Sequence, residues 1–183
     1  MRIIVGMTGA SGAVFGVELL RRCPGEKFLI LTKWGRYVLK DETGLTEHHL
    51  AEYVKKSFAD EDLSAPFSSG SNPFDALVIL PCSASTMCKI AAGIADTLLT
   101  RAAAVALKER RRLIIGLRET PLSTIHLEQA HKLSLAGAIV MPVSPPLYLK
   151  PQSIQQMAEQ FADKTLGLLG VETTLAWKPE ALE

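Results

Sequence analysis

MRIIVGMTGASGAVFGVELL, residues 1–20, sets a short apolar run, a glycine-rich turn and a helix-period segment end to end. Ile3 to Met7 is almost continuously apolar, the pattern of a strand buried on both faces. Gly9-Ala10-Ser11-Gly12 then turns the chain, and Val14, Leu19 and Leu20 suggest a helix over Ala13 to Leu20. The same alternation recurs downstream. Phe28 to Thr32, Ala76 to Pro81, Leu113 to Leu117 and Ala138 to Pro142 read as strands. Leu98, Leu99, Ala102, Val105 and Ala106 trace the apolar stripe of a helix between two of them. Strands alternating with helices in this way imply a parallel sheet between two helix layers, an α/β, three-layer α-β-α sandwich.

The rest of the chain fits that frame. Its 183 residues suit one domain, residues 1–183, since domains run from about 50 to 250 residues. Pro151 and Gly170 bracket a last helix, with a tail beyond it. Asp60 to Pro73, rich in Ser, Pro and Gly, reads as a surface loop. Twenty basic against nineteen acidic residues leave a net charge of +1, which offers no general attraction to nucleic acid or to a membrane surface. The start of the chain enters strand pattern directly, and no apolar stretch reaches the roughly 18 residues of a membrane span. A cytoplasmic protein is expected. Cys23, Cys82 and Cys88 lack paired spacing and are expected as free thiols. His48 and His49 are adjacent and His126 and His131 are five apart, so neither pair shares a helix face for a metal, and none is expected.

Ligands of open parallel sheets sit outside the carboxyl ends of the strands, where loops enter helices. Three loops there carry chemistry. Gly9 to Gly12 meets a helix N-terminus, whose free N–H groups and partial positive charge favour a phosphate or another anion. The spacing Gly6-x-x-Gly9-x-x-Gly12 is neither a dinucleotide fingerprint nor a P-loop, and Thr32-Lys33 stands where a ribose-binding acid would be needed, so NAD is disfavoured. PCSAST, residues 81–86, brings Ser83, Ser85 and Thr86 to the start of another helix. Capping would use one of these hydroxyls, not three. GLRETPLS, residues 116–123, places a fixed cation, Arg118, and a proton acceptor, Glu119, at the same edge, with a surface ion pair as the plainer reading. Lys108, Arg110, Arg111 and Arg112 are favourable in a helix's last turn without any ligand.

These motifs carry a resemblance. MTGASGAVFGVELL (7–20), PCSAST (81–86), the run from Lys89 to Ser153 and Trp177 resemble the UbiX-type flavin prenyltransferases over essentially the whole chain. The resemblance implies a Rossmann- or flavodoxin-like sheet and a homo-oligomer, usually a dodecamer built from trimers. It implies FMN, reduced, as co-substrate, and dimethylallyl monophosphate as prenyl donor. The product, prenylated FMN, would serve a partner decarboxylase. By match it places FMN against Gly9, Ala10, Ser11, Thr32, Ser83, Ala84, Ser85, Thr86 and Arg118. It places the prenyl phosphate near Arg101, Lys108, Tyr148 and Lys164, some supplied by a neighbouring subunit. Ser11, Glu119 and Lys108 are its candidates for catalysis, the first two for proton handling. Thr32 stands where serine is frequent, Lys164 where arginine is, and Ala92 replaces the asparagine of an Asn-Gly-Ile-Ala-Asp pattern. The rival readings are an FMN-dependent decarboxylase of peptidyl-cysteine or phosphopantothenoylcysteine, and a non-catalytic flavin-binding subunit. Against the first, Ser85 occupies the asparagine position of the decarboxylases' Pro-Ala-Ser-Ala-Asn-Thr loop, and their Pro-x-Met-Asn-x-x-Met-Trp stretch is missing.

Overall fold

The computed structural model describes residues 1–173; Trp177 lies outside them. In chain order the elements are β1 (Arg2–Met7), α1 (Ala13–Arg22), β2 (Glu26–Leu31), α2 (Lys33–Thr43), α3 (Glu47–Leu50), β3 (Lys56–Ala59), β4 (Ala76–Cys82), α4 (Ala84–Ala91), α5 (Leu98–Lys108), β5 (Arg112–Leu117), α6 (Thr124–Leu135), β6 (Ile139–Pro142) and α7 (Ile154–Leu168). The six strands form one sheet in the order β3-β2-β1-β4-β5-β6. Every pairing is parallel, Val5 lying between Leu29 and Val78. This is the doubly wound order of Rossmann-type sheets, whose direction of winding reverses between β1 and β4. No helix of the described residues is long and apolar enough to cross a membrane.

Side chains alternate across the strands and so divide the core into two layers. Ile4, Ile30, Leu77, Ile79 and Ile115 face α4 and α5, meeting Met87, Leu99, Ala102 and Val105. Ile3, Val5, Leu29, Val78 and Ile114 face the other way, onto Val17 and Leu20 of α1, Leu39 of α2, and Phe161 and Leu166 of α7. All seven residues of β4 are buried, as the near-continuous apolarity of a central parallel strand requires.

The expected strands and helices are present, with two differences. Thr32 belongs to the start of α2 rather than to β2: its hydroxyl accepts from Gly35 N at 3.0 Å. The segment from Asp60 to Pro73, expected as a surface loop, is partly core. Asp60, Ala65 and Phe67 are buried, and Phe67 meets the rings of Phe28, Phe58 and Phe74 edge-on at 5.0 to 5.8 Å. Polar composition concealed a single aromatic anchor. The strand before it, β3, also went unread, because it is a short edge strand with only Phe58 fully buried.

Candidate active site

Where the winding reverses, beyond the carboxyl ends of β1 and β4, lies a cavity of about 320 Å³ lined by Thr8, Gly9, Thr32, Trp34, Asp60, Ser83, Ser85, Thr86, Lys89, Thr97, Leu99 and Thr100. Thr8 ties the two strand ends together. Its hydroxyl donates to Pro81 O at 3.0 Å and accepts from Ser83 N at 2.8 Å. That staple brings the glycine turn after β1 against the PCSAST loop after β4. Gly9 is required there by a neighbour: a Cβ would stand 2.4 Å from Trp34 Cβ, so α2 could not approach. Trp34 itself is 63% exposed at the cavity mouth.

Four helices, α1, α2, α4 and α5, begin beside this cavity, and their free N–H groups are disposed of in two ways. The start of α1 is closed by a carboxylate. Glu42 Oε2, from α2, accepts from Gly12 N at 2.8 Å and Ala13 N at 2.9 Å, while Gly12, at φ 99°, makes the left-handed turn into the helix. Those two amides are thus engaged by a carboxylate of the protein itself. The start of α5 is closed likewise: Asp60 accepts from Leu99 N at 2.9 Å and from the Thr97 hydroxyl, and Leu98 N donates to Asp60 O. Burial pushes the Asp60 carboxyl above its ordinary value. The starts of α2 and α4, by contrast, carry only neutral caps, Thr32 and Ser83. Those two N-termini remain open to an anion.

A phosphate ester fits this wall. Hydroxyls of Thr32, Ser83, Ser85 and Thr86 line it beside the two open helix starts, and Ser83 Oγ lies 3.0 Å from Thr86 Oγ1, ready to share an acceptor. These residues would hold the phosphate of FMN, with Gly9 in the same lining, while Ala10 is buried and Ser11 exposed on the turn beside it. Cys82, wholly buried, has its thiol pushed far up by desolvation and stays protonated. It is packing, as its apolar surroundings suggest.

Arg118 and Glu119 lie outside that cavity, in an adjoining one of about 310 Å³ lined also by Leu117, Thr120, Pro142, Val143 and Ser144. The two cavities are linked through β4: Arg118 N donates to Cys82 O at 2.9 Å. Glu119 is exposed, and its Oε1 accepts from Thr120 N at 3.1 Å. Ser11 is exposed on the glycine turn next to the Glu42 contact. Glu42 is therefore a second carboxylate within the reach of that turn. Sequence reading missed it because nothing local marks one glutamate on an amphipathic helix as folding back onto another helix's start.

The four residues expected at the prenyl phosphate are not brought together within one chain. Arg101 is in the first turn of α5, and Tyr148 follows the carboxyl end of β6 in a single 3₁₀ turn, Leu147–Leu149. Lys108 closes α5 at the opposite, amino edge of the sheet, where its ammonium pairs with Glu109. Seven residues of helix separate it from Arg101, about 10 Å of axis. Lys164 is exposed on α7, next to Asp163, which pairs with Arg22 at the amino-edge end of α1 at 2.7 Å. Thr8, Trp34, Asp60, Lys89, Thr97 and Thr100 went unread as cavity residues. The capping pattern at Thr97 and Thr100 was the one legible signal.

The Flavoprotein family model matches residues 1–169. The flavin prenyltransferase UbiX of Thermoplasma acidophilum is 46% identical over 176 residues, 96% of this chain and 98% of that one. Among solved structures, AnUbiX (PadA1) in complex with FMN and dimethylallyl pyrophosphate superposes with a TM-score of 0.91 at 37% identity, covering 97% of this chain and 98% of that one. A dodecameric FMN-dependent UbiX-like decarboxylase from Escherichia coli O157:H7 gives 0.92 at 39% identity, covering 97% and 99%. The chain belongs to the Flavoprotein family, and within it to the UbiX-type flavin prenyltransferases.

Proposed function

We propose that the protein joins the dimethylallyl group of dimethylallyl monophosphate to N5 and C6 of reduced FMN and releases prenylated FMN for a partner decarboxylase. The observation that carries this reading is the cavity at the β1/β4 reversal, with two neutral-capped helix starts and a hydroxyl wall suited to a flavin phosphate. It is supported by membership of a family whose similar members are named flavin prenyltransferases. Reduced FMN supplies the two nucleophilic ring atoms. Thr32, Ser83 and Thr86 anchor the flavin's phosphate and so fix the ring between the glycine turn and Arg118. Arg101, Lys108, Tyr148 and Lys164 bind the prenyl phosphate and stabilise the charge that grows on it as its C–O bond breaks. Ser11 and Glu119 deliver a proton to the prenyl double bond as it closes onto C6 and take up the proton that C6 then loses, so that no net proton is gained in the closure.

Such a division of labour requires a second subunit. Lys108 and Lys164 stand at the amino edge of their own sheet, away from Arg101 and Tyr148, so a shared phosphate site is assembled between copies of the chain. Ile125, Leu127 and Leu135 are exposed apolar side chains on α6 that an assembly could cover. We place the chain as one flavin-binding domain in a homo-oligomer of dodecameric type, working in the cytoplasm, where free thiols are stable. Anaerobic incubation with reduced FMN and dimethylallyl monophosphate, followed by mass spectrometry of the flavin, tests the reading. A flavin heavier by one dimethylallyl unit is expected. An unchanged flavin with both the monophosphate and the pyrophosphate donor would overturn it.

A further inference from the structure

The charges around the phosphate wall do not balance without one residue so far given no role. A bound phosphate monoester carries about −1.5 to −2 at neutral pH. Each helix N-terminus offers roughly +0.5, but Glu42 consumes that of α1 and Asp60 that of α5. The open starts of α2 and α4 together supply about +1, which leaves about half to one positive charge wanting. Of the described residues lining the cavity, Lys89 alone is cationic.

Lys89 is on α4, the helix whose Ser83 start faces the cavity. Its Nζ now donates to Asp96 Oδ2 at 2.7 Å. The other oxygen of Asp96 accepts from Thr100 Oγ1 at 3.4 Å, and Thr100 is itself part of the wall. The ammonium is thus held at the cavity's rim on an exposed carboxylate, the two side chains being 44% and 49% exposed. A pair so exposed contributes little, whereas a phosphate monoester carries more negative charge than one carboxylate and offers three acceptor oxygens. Asp96, once released, remains in water and loses little. Exchange of one anion for the other is therefore downhill.

We propose that Lys89 is the charge-selecting residue of the flavin site: when FMN enters, its ammonium leaves Asp96 and donates to the flavin's phosphate, so that the site takes FMN and discriminates against riboflavin. The inference rests on the reading that this cavity holds the FMN phosphate. It assigns Lys89 to binding and positioning, with Asp96 as its holder in the empty site.

Dissociation constants for FMN and for riboflavin, read from flavin fluorescence, test it. Lys89→Met is expected to weaken FMN binding about tenfold, and by less as salt is raised, while riboflavin binding stays constant and reports that the site is folded. Lys89→Arg should retain most of the FMN affinity. Asp96→Asn should tighten FMN binding several-fold in the native background, by more than it does in Lys89→Met, since it acts through the lysine. Equal losses for both flavins in Lys89→Met, or none for FMN, would overturn the proposal while leaving the flavin reading intact. An unchanged FMN affinity in Asp96→Asn would overturn the exchange. Wild-type protein that binds neither flavin would overturn both readings.

Discussion

At the scale of single residues, three carboxylates stand in or beside the two adjoining cavities and are held differently. Glu119 is exposed, and its Oε1 accepts from Thr120 N. Glu119→Gln keeps its size, so FMN should bind as before while prenylated flavin forms about 10² to 10⁴ times more slowly, the usual worth of a general base. Glu42 is engaged by two backbone amides. Glu42→Ala leaves both N–H groups open, and the helix start should lose about 1 kcal/mol in urea denaturation. A comparison of single-turnover rates in Glu42→Gln and Glu119→Gln identifies the base; an unimpaired Glu119→Gln removes that residue from the chemistry. Asp60 is buried and its carboxyl is raised. A raised acid contributes its full stability below the unfolded carboxyl value and loses it as pH climbs through the folded one. Asp60→Asn keeps an acceptor for Leu99 N without the charge, so its stability relative to wild type should improve from pH 4 to pH 7. Urea midpoints that differ by the same amount at both values would show that Asp60 does not titrate between them.

Among the elements, the segment joining β3 to β4 decides whether the cavity keeps its floor. Phe67 touches three other phenylalanine rings, while Asp60 reaches from the same segment to cap α5. Truncating a buried phenylalanine costs about 3–5 kcal/mol. Phe67→Ala should therefore lower the urea midpoint strongly and weaken FMN binding with it, because the cap on α5 moves with the segment. Unchanged FMN affinity in a folded Phe67→Ala would separate the two. The same segment marks the limit of sequence reading. Strands such as Ile3 to Met7 and Ala76 to Pro81 were legible because burial on both faces leaves a composition that only a central parallel strand has. Ser83 and Thr86 were legible because hydroxyls at a helix start have few other uses. Phe67, Asp60, Glu42 and Lys89 were not, since each acts on a partner at least seven residues away and no local pattern encodes the meeting. The glycine turn between β1 and α1 was legible as a turn, whereas the Glu42 carboxylate that engages Gly12 and Ala13 was not.

For the whole molecule, the decisive fact is that the sheet has two edges and the expected prenyl-phosphate residues occupy both. Helices that follow parallel strands run back across the sheet, so the first turn of α5 carries Arg101 at the carboxyl edge and its last turn carries Lys108 at the amino edge. Glu119 shares the carboxyl edge, in the loop after β5. If a site takes Glu119 from one subunit and Lys108 from a neighbour, two crippled chains can repair each other. Co-expression of Glu119→Gln with Lys108→Ala, followed by purification through a different tag on each, gives mixed assemblies. About a quarter of their sites then combine an intact glutamate with an intact lysine, as random mixing around a symmetric ring dictates. Assayed at prenyl phosphate concentrations below half-saturation, where Lys108→Ala alone is weakest, the mixed protein should exceed the average of its two parents several-fold. If both residues served the same chain's site, every chain would carry one defect and no site would be whole. Activity equal to the parental average would then place Glu119 and Lys108 in the site of one and the same subunit and overturn the shared site.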